Sequence, residues 1–281
     1  MAVTVPLAIG TALLLGAVVI FLSGFSPWQA YAGLWKGAFG TPGEWATGDW
    51  HAFDQTLAAA TPYIFTTLAV AFSFKAGLFN IGAEGQLKLG AIAAAWTGVQ
   101  FTTLPSIVHV PLTLIVGCLA GAFWAAIPGV LKAWSGAHEV ITTIMLNYIA
   151  GIVVGYATGQ GGPFRGSQMS TSPAIALSAQ VPTLFSSTPA YPLHWGFVAA
   201  LALIVVVYWV LRRTPFGFEV RTVGANPSAA RYAGIHVSRV IVAAMLVSGL
   251  LAGLAGGFEV VGNPNYYHKF NVNLGTNYGF N

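Results

Sequence analysis

The apolar run VIVAAMLVSGLLAGLAGGFEVVG, Val240–Gly262, decides the class of this protein. Glu259 is its only charged residue. About 20 consecutive apolar residues in a helix are enough to cross the hydrocarbon core of a bilayer. The run therefore predicts a transmembrane helix, and its many glycines predict close packing of that helix against its neighbours.

Further runs of the same kind predict an all-α, polytopic integral membrane protein with about seven or more transmembrane helices. Among the 281 residues there are 11 Lys and Arg and 7 Asp and Glu, and 56% of the residues are hydrophobic. A soluble domain of this length needs roughly a quarter of its residues charged. The predicted helices are Val5–Leu22, Thr56–Phe74, Ile81–Val99, Ile107–Leu131, Val140–Thr158, Trp195–Leu211 and Val240–Gly262.

The positions of Lys and Arg predict the orientation, because cytoplasmic loops of membrane proteins are enriched in both. Residues 212–239 carry five Arg against one acidic residue, and we predict that they form a cytoplasmic loop. Lys132–Glu139 is a second predicted cytoplasmic turn. Alternation across the membrane then places residues 160–194 and Ser23–Gln55 in extracytoplasmic loops. The basic residues behind the formal charge of +4 thus mark cytoplasmic loops, and we expect no nucleic-acid partner.

The polar stretch AGLFNIGAEGQLKLG, Ala76–Gly90, interrupts the apolar pattern between two predicted helices. By alternation it is a cytoplasmic turn, and the positive charges of Lys75 and Lys88 agree with that side. Alternatively, the flanking runs are halves of one helix that is broken inside the bilayer near Asn80. Broken helices of transporters expose backbone groups to a water-filled path. The sequence leaves both interpretations open.

A short helix is predicted within the 212–239 loop, in the stretch ANPSAARYAGI. Asn226 is a good N-cap residue, and Pro227 suits the first helical position, which needs no N–H donor. Gly234 can end the helix in the left-handed conformation. A helix of about two turns is unstable alone in water, so it must pack on its own protein or on a partner. The simplest alternative is an interfacial connector whose Arg side chains contact lipid headgroups.

Sequence motifs of an enzyme are missing. Without a GxxxxGK[ST] loop, the chain is not expected to hydrolyse ATP by the P-loop route. The six His are scattered without metal-ligand spacing, and no GxSxG nucleophile elbow occurs. We therefore expect a transport component with no catalytic residue, no metal site and no cofactor of its own.

Three long blocks carry a resemblance to a known family. They are SFKAGLFNIGAEGQLKLGAIAAA, HEVITTIMLNYIA and VGANPSAARYAGIHVSRVIVAAMLVSGLLAGLAGGFEVVG. They resemble the permease subunits of ABC importers for nucleosides and simple sugars, within the ribose and branched-chain amino-acid permease family. The stretch FSPWQAYAGLWKGAFGTPGEW is similar to the first external loop of the same subfamily. The resemblance covers most of the chain.

The resemblance implies a single transmembrane permease domain over residues 1–281, in the plasma (inner) membrane of a prokaryote. It implies a second permease subunit, identical or related, ATPase subunits that bind ATP and Mg, and an extracytoplasmic substrate-binding lipoprotein. Family members usually continue past GTNYGF with further membrane segments, so we expect this chain to be truncated at its C-terminus. The short helix resembles the coupling helix that contacts the ATPase, and its expected contact residues are Asn226, Pro227, Ala229, Ala230, Arg231, Tyr232, Gly234 and Ile235.

Polar and aromatic residues in or beside the apolar runs are the candidates for a nucleoside path. Such a path needs hydrogen-bond partners for ribose and base, together with aromatic faces for stacking. The candidates are Phe79, Asn80, Glu84, Gln86, Thr143, Asn147, Tyr148 and Glu259. Structural roles compete for several of them: Thr143 and Asn147 can bond to a neighbouring helix, and Glu84 can pair with Lys88 one turn later.

Two other function classes are weighed against an ABC permease. An ion-coupled secondary transporter would use an intramembrane carboxylate such as Glu259, which is a functional candidate by its position. It would have no use for a docking helix in residues 221–239. A membrane-embedded enzyme is disfavoured because no catalytic constellation is present in the sequence.

Overall fold

The computed structural model describes residues 4–184, 193–262 and 268–274. The part of the 160–194 loop at residues 185–192 and the GTNYGF stretch at residues 275–280 lie outside the described residues. Within the described ranges the regular elements are helices, with two isolated β-bridges, so the all-α prediction is confirmed. The helices are α1 (Thr4–Leu22), α2 (Pro27–Phe39), α3 (Pro42–Ala46), α4 (His51–Lys75), α5 (Ala83–Gln100), α6 (Ser106–Ser135), α7 (Glu139–Thr158), α8 (Gly196–Arg213), α9 (Pro215–Ala225), α10 (Pro227–Tyr232) and α11 (Val237–Gly262).

All seven predicted apolar runs are helical. Six helices in the described ranges, namely α1, α4, α6, α7, α8 and α11, are long and apolar enough to cross a membrane. Helix α5 forms as predicted but is not among these six, so the structure does not confirm seven or more spans. Polar residues in its first turns lower its mean hydropathy, and they belong to the polar stretch considered below.

The chain divides into two compact units, Met1–Thr56 and Leu57–Asn281. In the first unit, α1 ends at Leu22 and is followed by Gly24, whose φ of 84° is left-handed. Ser26 then caps the N-terminus of α2. Thr41 and Glu44 form a capping box at the start of α3. Two short helices thus occupy the Ser23–Gln55 segment, where the sequence analysis predicted only a loop.

Helices α5, α6 and α11 pack together at the centre of the second unit. A Cβ atom on Gly90 of α5 would lie 2.5 Å from the Cα atom of Gly253 of α11, so both backbones need glycine at this crossing. Leu87, Ala91 and Ala255 are fully buried around it. Small residues let membrane helices approach closely, as the glycine-rich run of α11 predicted.

The described part of the 160–194 loop packs on one end of these helices. The imidazole of His109 in α6 lies 2.8 Å from Ser178 Oγ of the loop and 3.2 Å from the carbonyl oxygen of Thr97 in α5. Val181 donates its backbone N–H to the carbonyl of Val261 in α11 at 2.8 Å. The loop therefore joins the ends of three helices by hydrogen bonds.

Candidate functional site

The polar stretch between α4 and α5 forms a turn followed by a short non-helical return. Gly77 adopts a φ of 75°, and its backbone lies directly against Gly224 of α9. A side chain on Gly224 would collide with the carbonyl of Lys75. After the turn, residues 78–82 run back between the helices to the start of α5. The turn therefore lies beside α9, whereas Asn80 lies deeper.

Asn80 is fully buried and is the centre of the hydrogen bonds in this stretch. Its Nδ2 donates to Gln86 Oε1 at 3.1 Å and to Ser248 Oγ at 2.8 Å. Its Oδ1 accepts from the backbone N–H of Gly82 at 3.0 Å and from Gln86 Nε2 at 3.1 Å. Ser248 of α11 in turn donates to the carbonyl of Ala69 in α4 at 2.6 Å. The side chains of Asn80, Gln86 and Ser248 thus connect α4, α5 and α11.

Asn147 of α7 supplies the partners for the backbone on the other side of the stretch. Its Oδ1 accepts from the N–H of Gly85 at 2.8 Å, and its Nδ2 donates to the carbonyl of Ile81 at 2.9 Å. The first N–H groups of a helix have no partner within the helix, and Gly85 lies in the first turn of α5. Asn147, Asn80, Gln86 and Ser248 are called the amide cluster below.

The amide cluster lies beside the middle of its neighbouring helices, not beside their ends. Ser248 follows the first residue of α11, Val237, by eleven positions, and Asn147 follows Glu139, the first residue of α7, by eight. At a rise of 1.5 Å per residue, these positions lie about 17 and 12 Å along the helices. The structure therefore places the polar return beside the middle of α7 and α11, not at a surface turn alone. Helix α4 is by itself long and apolar enough to cross a membrane, which does not fit the interpretation of α4 and α5 as two halves of one broken helix.

Two predicted path residues, Glu84 and Thr143, have hydrogen-bond or ion-pair partners within their own helices. Glu84 Oε1 and Lys88 Nζ form an ion pair at 2.5 Å within α5, and both side chains are largely buried. This is the i,i+4 pairing with Glu first that the sequence spacing favours. Thr143 is buried in α7 and donates its hydroxyl to the carbonyl of Glu139 at 2.7 Å. The geometry gives both residues a structural partner.

The predicted aromatic residues differ from the amides in exposure. Tyr148 of α7 is 69% exposed and Phe79 is 40% exposed, the latter with its ring 4.7 Å from that of Phe74. Each adjoins one member of the amide cluster in sequence. Glu259 is buried near the end of α11, separate from the cluster by more than ten positions along the helix. The structure thus brings Asn80, Gln86 and Asn147 together around the polar stretch, whereas Glu259 lies outside the amide cluster.

Ser248 is the residue that the sequence analysis missed. It is buried and bridges Asn80 and Ala69. A lone Ser in the centre of an apolar run was the available signal, but Ser also hydrogen-bonds within its own helix, so the run alone could not assign its partner.

His194, just before α8, is a second buried polar group near the end of α11. Its ring lies against Gly262 and 6.0 Å from that of Phe258, and its Nδ1 accepts from the N–H of Gly196 at 3.0 Å. Burial, together with the nearby His268, lowers the pKa of His194 to about 4. A neutral imidazole therefore joins the loop to α11.

The predicted short helix is present as α10. Asn226 accepts hydrogen bonds at Oδ1 from the N–H groups of Ser228 at 3.0 Å and Ala229 at 3.1 Å, as an N-cap residue does. Pro227 occupies the first helical position. Gly234 follows α10 with a φ of 80°. The sequence signals for both ends of the helix are therefore confirmed.

Helix α10 has one buried side and one exposed side. Ala230 is fully buried, and Ile235 packs against the hydrophobic core that includes Val223 and Val240. On the other side, Arg231 is exposed and Tyr232 is 95% exposed. Ala230 and Ile235 thus fix the helix to its own protein, and the side chains of Arg231 and Tyr232 are exposed on the other side.

The family model described as branched-chain amino acid transport system / permease component matches residues 52–280. The chain belongs to this family. The permease is also similar to named relatives along most of its length. It is 41% identical over 264 residues to the guanosine ABC transporter permease protein NupP of Bacillus subtilis, covering 93% of this chain and 73% of that protein.

Two further relatives carry related names. The nucleoside ABC transporter permease protein NupB of Lactococcus lactis is 36% identical over 90% of this chain and 69% of its own length. The glucose ABC transporter permease protein TsgB13 of Haloferax volcanii is 38% identical over 80% of this chain and 60% of its own length. No solved structure matches the chain.

Family membership establishes the general function. The protein is a multi-pass permease subunit of an ABC importer in a prokaryotic plasma membrane, and it is not itself an enzyme. ATP hydrolysis takes place in a separate subunit, and the family works with ATPase and substrate-binding partners in general. The interpretation as an ion-coupled secondary transporter is therefore set aside.

Proposed function

We propose that this permease moves nucleosides inward, paired with an identical or related permease, and is driven by ATPase subunits that dock on α10. In this proposal an extracytoplasmic lipoprotein delivers the nucleoside. ATP and Mg are bound by the ATPase. Residues 212–239 form the cytoplasmic loop and residues 160–194 the extracytoplasmic one.

One observation carries the docking proposal: one side of α10 packs against its own protein, and the other side is exposed. Tyr and Arg are enriched at the energetic centres of protein interfaces, and Arg pairs with carboxylates in a fork geometry. The contact residues proposed from the family resemblance remain Asn226, Pro227, Ala229, Ala230, Arg231, Tyr232, Gly234 and Ile235. Ala230 and Ile235 hold the helix in place, and the other six members of this set are exposed. Among the exposed members, Arg231 and Tyr232 have the largest side chains.

A continuous chain of contacts connects α10 to the amide cluster. Ile235 and Val237 join the hydrophobic core that also contains Ala244 and Met245 of α11. One turn further along, Ser248 hydrogen-bonds to Asn80. A movement of α10 imposed by the ATPase would thus tilt α11 and pull on the amide cluster. Rigid-body movement of this kind is one established way to alternate access to a binding site.

The nucleoside substrate is supported by the names of two relatives and by the side chains near the break. Phe79 and Tyr148 offer exposed aromatic faces to a base, and Asn80, Glu84, Gln86, Thr143, Asn147 and Glu259 complete the proposed set of path residues. Phe79 and Tyr148 are the members that combine a stacking surface with exposure, so we assign substrate contact first to them. A glucose-like sugar is the second candidate, because one relative is named for glucose.

The docking proposal is tested by recovering the ATPase with the permease from detergent-solubilised native membranes. We expect Arg231→Glu to lose most of the ATPase that the wild type recovers. Arg213→Glu is the matched control, since it makes the same charge change on an exposed residue at the end of α8. Equal recovery with Arg231→Glu and wild type would remove Arg231 from the docking surface.

The substrate proposal needs a separate uptake measurement. Membrane vesicles with the assembled importer should accumulate radiolabelled guanosine in the presence of ATP, and excess glucose should not compete. Phe79→Ala should slow uptake while the ATPase remains bound, with Phe123→Ala, at an exposed ring of α6, as the control. Competition by glucose but not by adenosine would replace the nucleoside by a sugar.

A further inference from the structure

Helix α2 separates aromatic from polar and small residues around its circumference. Trp28, Tyr31 and Trp35 recur at the i, i+3, i+7 spacing of one helical face. Gly33 and Gly37 lie on the opposite side of the helix, and Gln29 and Lys36 lie between the two. Trp28 is 81% exposed and Trp35 is 60% exposed, so two of the three rings contact little of their own protein. An exposed aromatic face of this kind needs an apolar surrounding.

The aromatic face continues into the segment that follows α2. The rings of Trp35 and Phe39 lie 4.6 Å apart, and that of Phe53, in the first turn of α4, lies 6.3 Å from Phe39. Trp50 stands 6.5 Å from Phe53 and stacks on Trp45 at 5.8 Å. Trp45 donates its indole N–H to the carbonyl of Phe39 at 2.7 Å. Five rings therefore form one connected and internally fixed surface.

Helix α2 also folds back along α1, which is apolar throughout. The Tyr31 hydroxyl donates to the carbonyl of Leu13 at 2.5 Å and lies against Gly16. Leu13 lies nine residues before the end of α1 at Leu22, or about 13 Å along its axis. No residue of α1 is buried within the chain, and the helix is long and apolar enough to cross a membrane. The aromatic face of α2 is thus continuous with a lipid-facing surface.

The opposite side of α2 faces a small open cleft of about 330 Å³. Gly33, Lys36 and Gly37 of α2 line it, together with Glu44 and Asp49. Lys36 Nζ lies 4.0 Å from Glu44 Oε1, and the Lys36 side chain is mostly exposed. Charged side chains of both signs around a small open cleft require water, so this side of α2 is the hydrated one.

We propose that α2 is embedded in the membrane boundary where α1 ends, with its aromatic face in lipid and its Lys36 side in water. At 13 residues, or about 20 Å, α2 is too short to cross a hydrocarbon core of about 30 Å. Trp and Tyr concentrate at the interface between headgroups and acyl chains. Helices with one apolar aromatic face and one polar face lie in that boundary. The partner of this surface is therefore the lipid bilayer, and the Ser23–Gln55 segment is not a free aqueous loop.

Four single-cysteine variants of the full chain test this placement. Cys118→Ala removes the only native cysteine. Ala32→Cys and Leu34→Cys flank the aromatic face, and Gly33→Cys and Gly37→Cys lie on the cleft side, where a new Cβ would meet no atom within 4 Å. Each variant is spin-labelled and reconstituted in phosphatidylethanolamine–phosphatidylglycerol liposomes. Collision rates are then measured with oxygen, which concentrates in lipid, and with a water-soluble nickel chelate.

Oxygen collisions should exceed nickel collisions severalfold at positions 32 and 34, and the ratio should reverse at 33 and 37. A nickel excess at all four positions would overturn the proposal in favour of a hydrated loop. An oxygen excess at all four would overturn it in favour of a helix immersed in hydrocarbon. Low collision rates with both reagents at positions 32 and 34 would mean that another protein covers the aromatic face, which also contradicts it.

Discussion

The amide cluster and α10 are both short polar interruptions between apolar helices, yet they differ in where their hydrogen-bonding and packing partners lie. Every polar atom of the Asn80 side chain has a partner within the chain, and the side chain is fully buried. Arg231 and Tyr232, by contrast, point away from their own protein. A polar break deep among helices must be satisfied internally, because an unpaired buried polar group costs about 1–3 kcal/mol. A surface helix can leave part of its binding capacity for a partner.

This difference changes what mutations should do. Substitutions in the amide cluster should reduce the stability of the permease itself. Substitutions on the outer side of α10 should leave stability unchanged and weaken assembly. Measuring both the stability and the assembly of each variant therefore distinguishes the two regions. An amide-cluster variant that loses only assembly, or an α10 variant that loses stability, would contradict this distinction.

Asn80→Leu should have the largest effect on stability. It leaves the N–H of Gly82 and the side-chain amide of Gln86 without their partner in a buried place, at about 1–3 kcal/mol for each group. We expect a free energy of unfolding lower by about 3 kcal/mol or more, measured as the unfolding midpoint of the purified permease in detergent. An unchanged midpoint with abolished uptake would make Asn80 a substrate ligand rather than a structural residue.

Acidification should reduce the stability of the permease by a comparable amount through His194, which is buried in its neutral form. The folded pKa of about 4 lies below the ordinary value of 6.5, so the unfolded chain binds a proton that the folded one excludes. The free energy of unfolding should fall as the pH drops from 6.5 towards 4, by about 3 kcal/mol in all.

Carboxylates also titrate at the acid end of this range, so the His194 contribution is read as the difference between wild type and His194→Gln. The variant should lose part of the pH dependence between pH 6.5 and 4. Identical pH profiles for the two proteins would mean that His194 is protonated in the folded state as easily as in the unfolded one.

Tyr232→Ala tests the other side of the comparison. Its ring is almost fully exposed and makes little contact with the permease, so the unfolding midpoint should not move. We expect the affinity for the ATPase to fall about tenfold, or about 1.4 kcal/mol, as for an aromatic residue at the centre of an interface. The measurement is titration of the reconstituted permease with purified ATPase. A lower midpoint with unchanged affinity would assign Tyr232 to the fold.

Asn226→Ala should have the smallest effect. Loss of an N-cap side chain costs a helix about 1 kcal/mol, and here it affects only the two-turn α10. ATPase affinity should fall severalfold while the global midpoint stays within error. Asn226→Ser should restore affinity, because Ser caps about as well as Asn. Failure of Ser to restore it would mean that Asn226 contacts the ATPase directly.

Local signals predicted much of this protein because they act over a few residues. Length and hydropathy located all seven apolar runs that form helices. Asn226, Pro227 and Gly234 located both ends of α10. The capping box at Thr41 and Glu44 is an equally local signal for α3, although Gly and Trp residues surround it in that segment.

The tertiary structure decided which partners the buried polar residues have, because these partners lie far apart in the chain. Asn80 and Ser248 are separated by 168 positions, and Asn147 meets Ile81 across 66. No local pattern indicates such pairs, since any apolar run can bring a polar residue to a given depth. By itself, the sequence determined the membrane class, the family and the short helix. Only packing decided that the amide cluster joins α4, α5, α7 and α11, because a buried amide takes its role from whichever partners the fold brings within hydrogen-bonding distance.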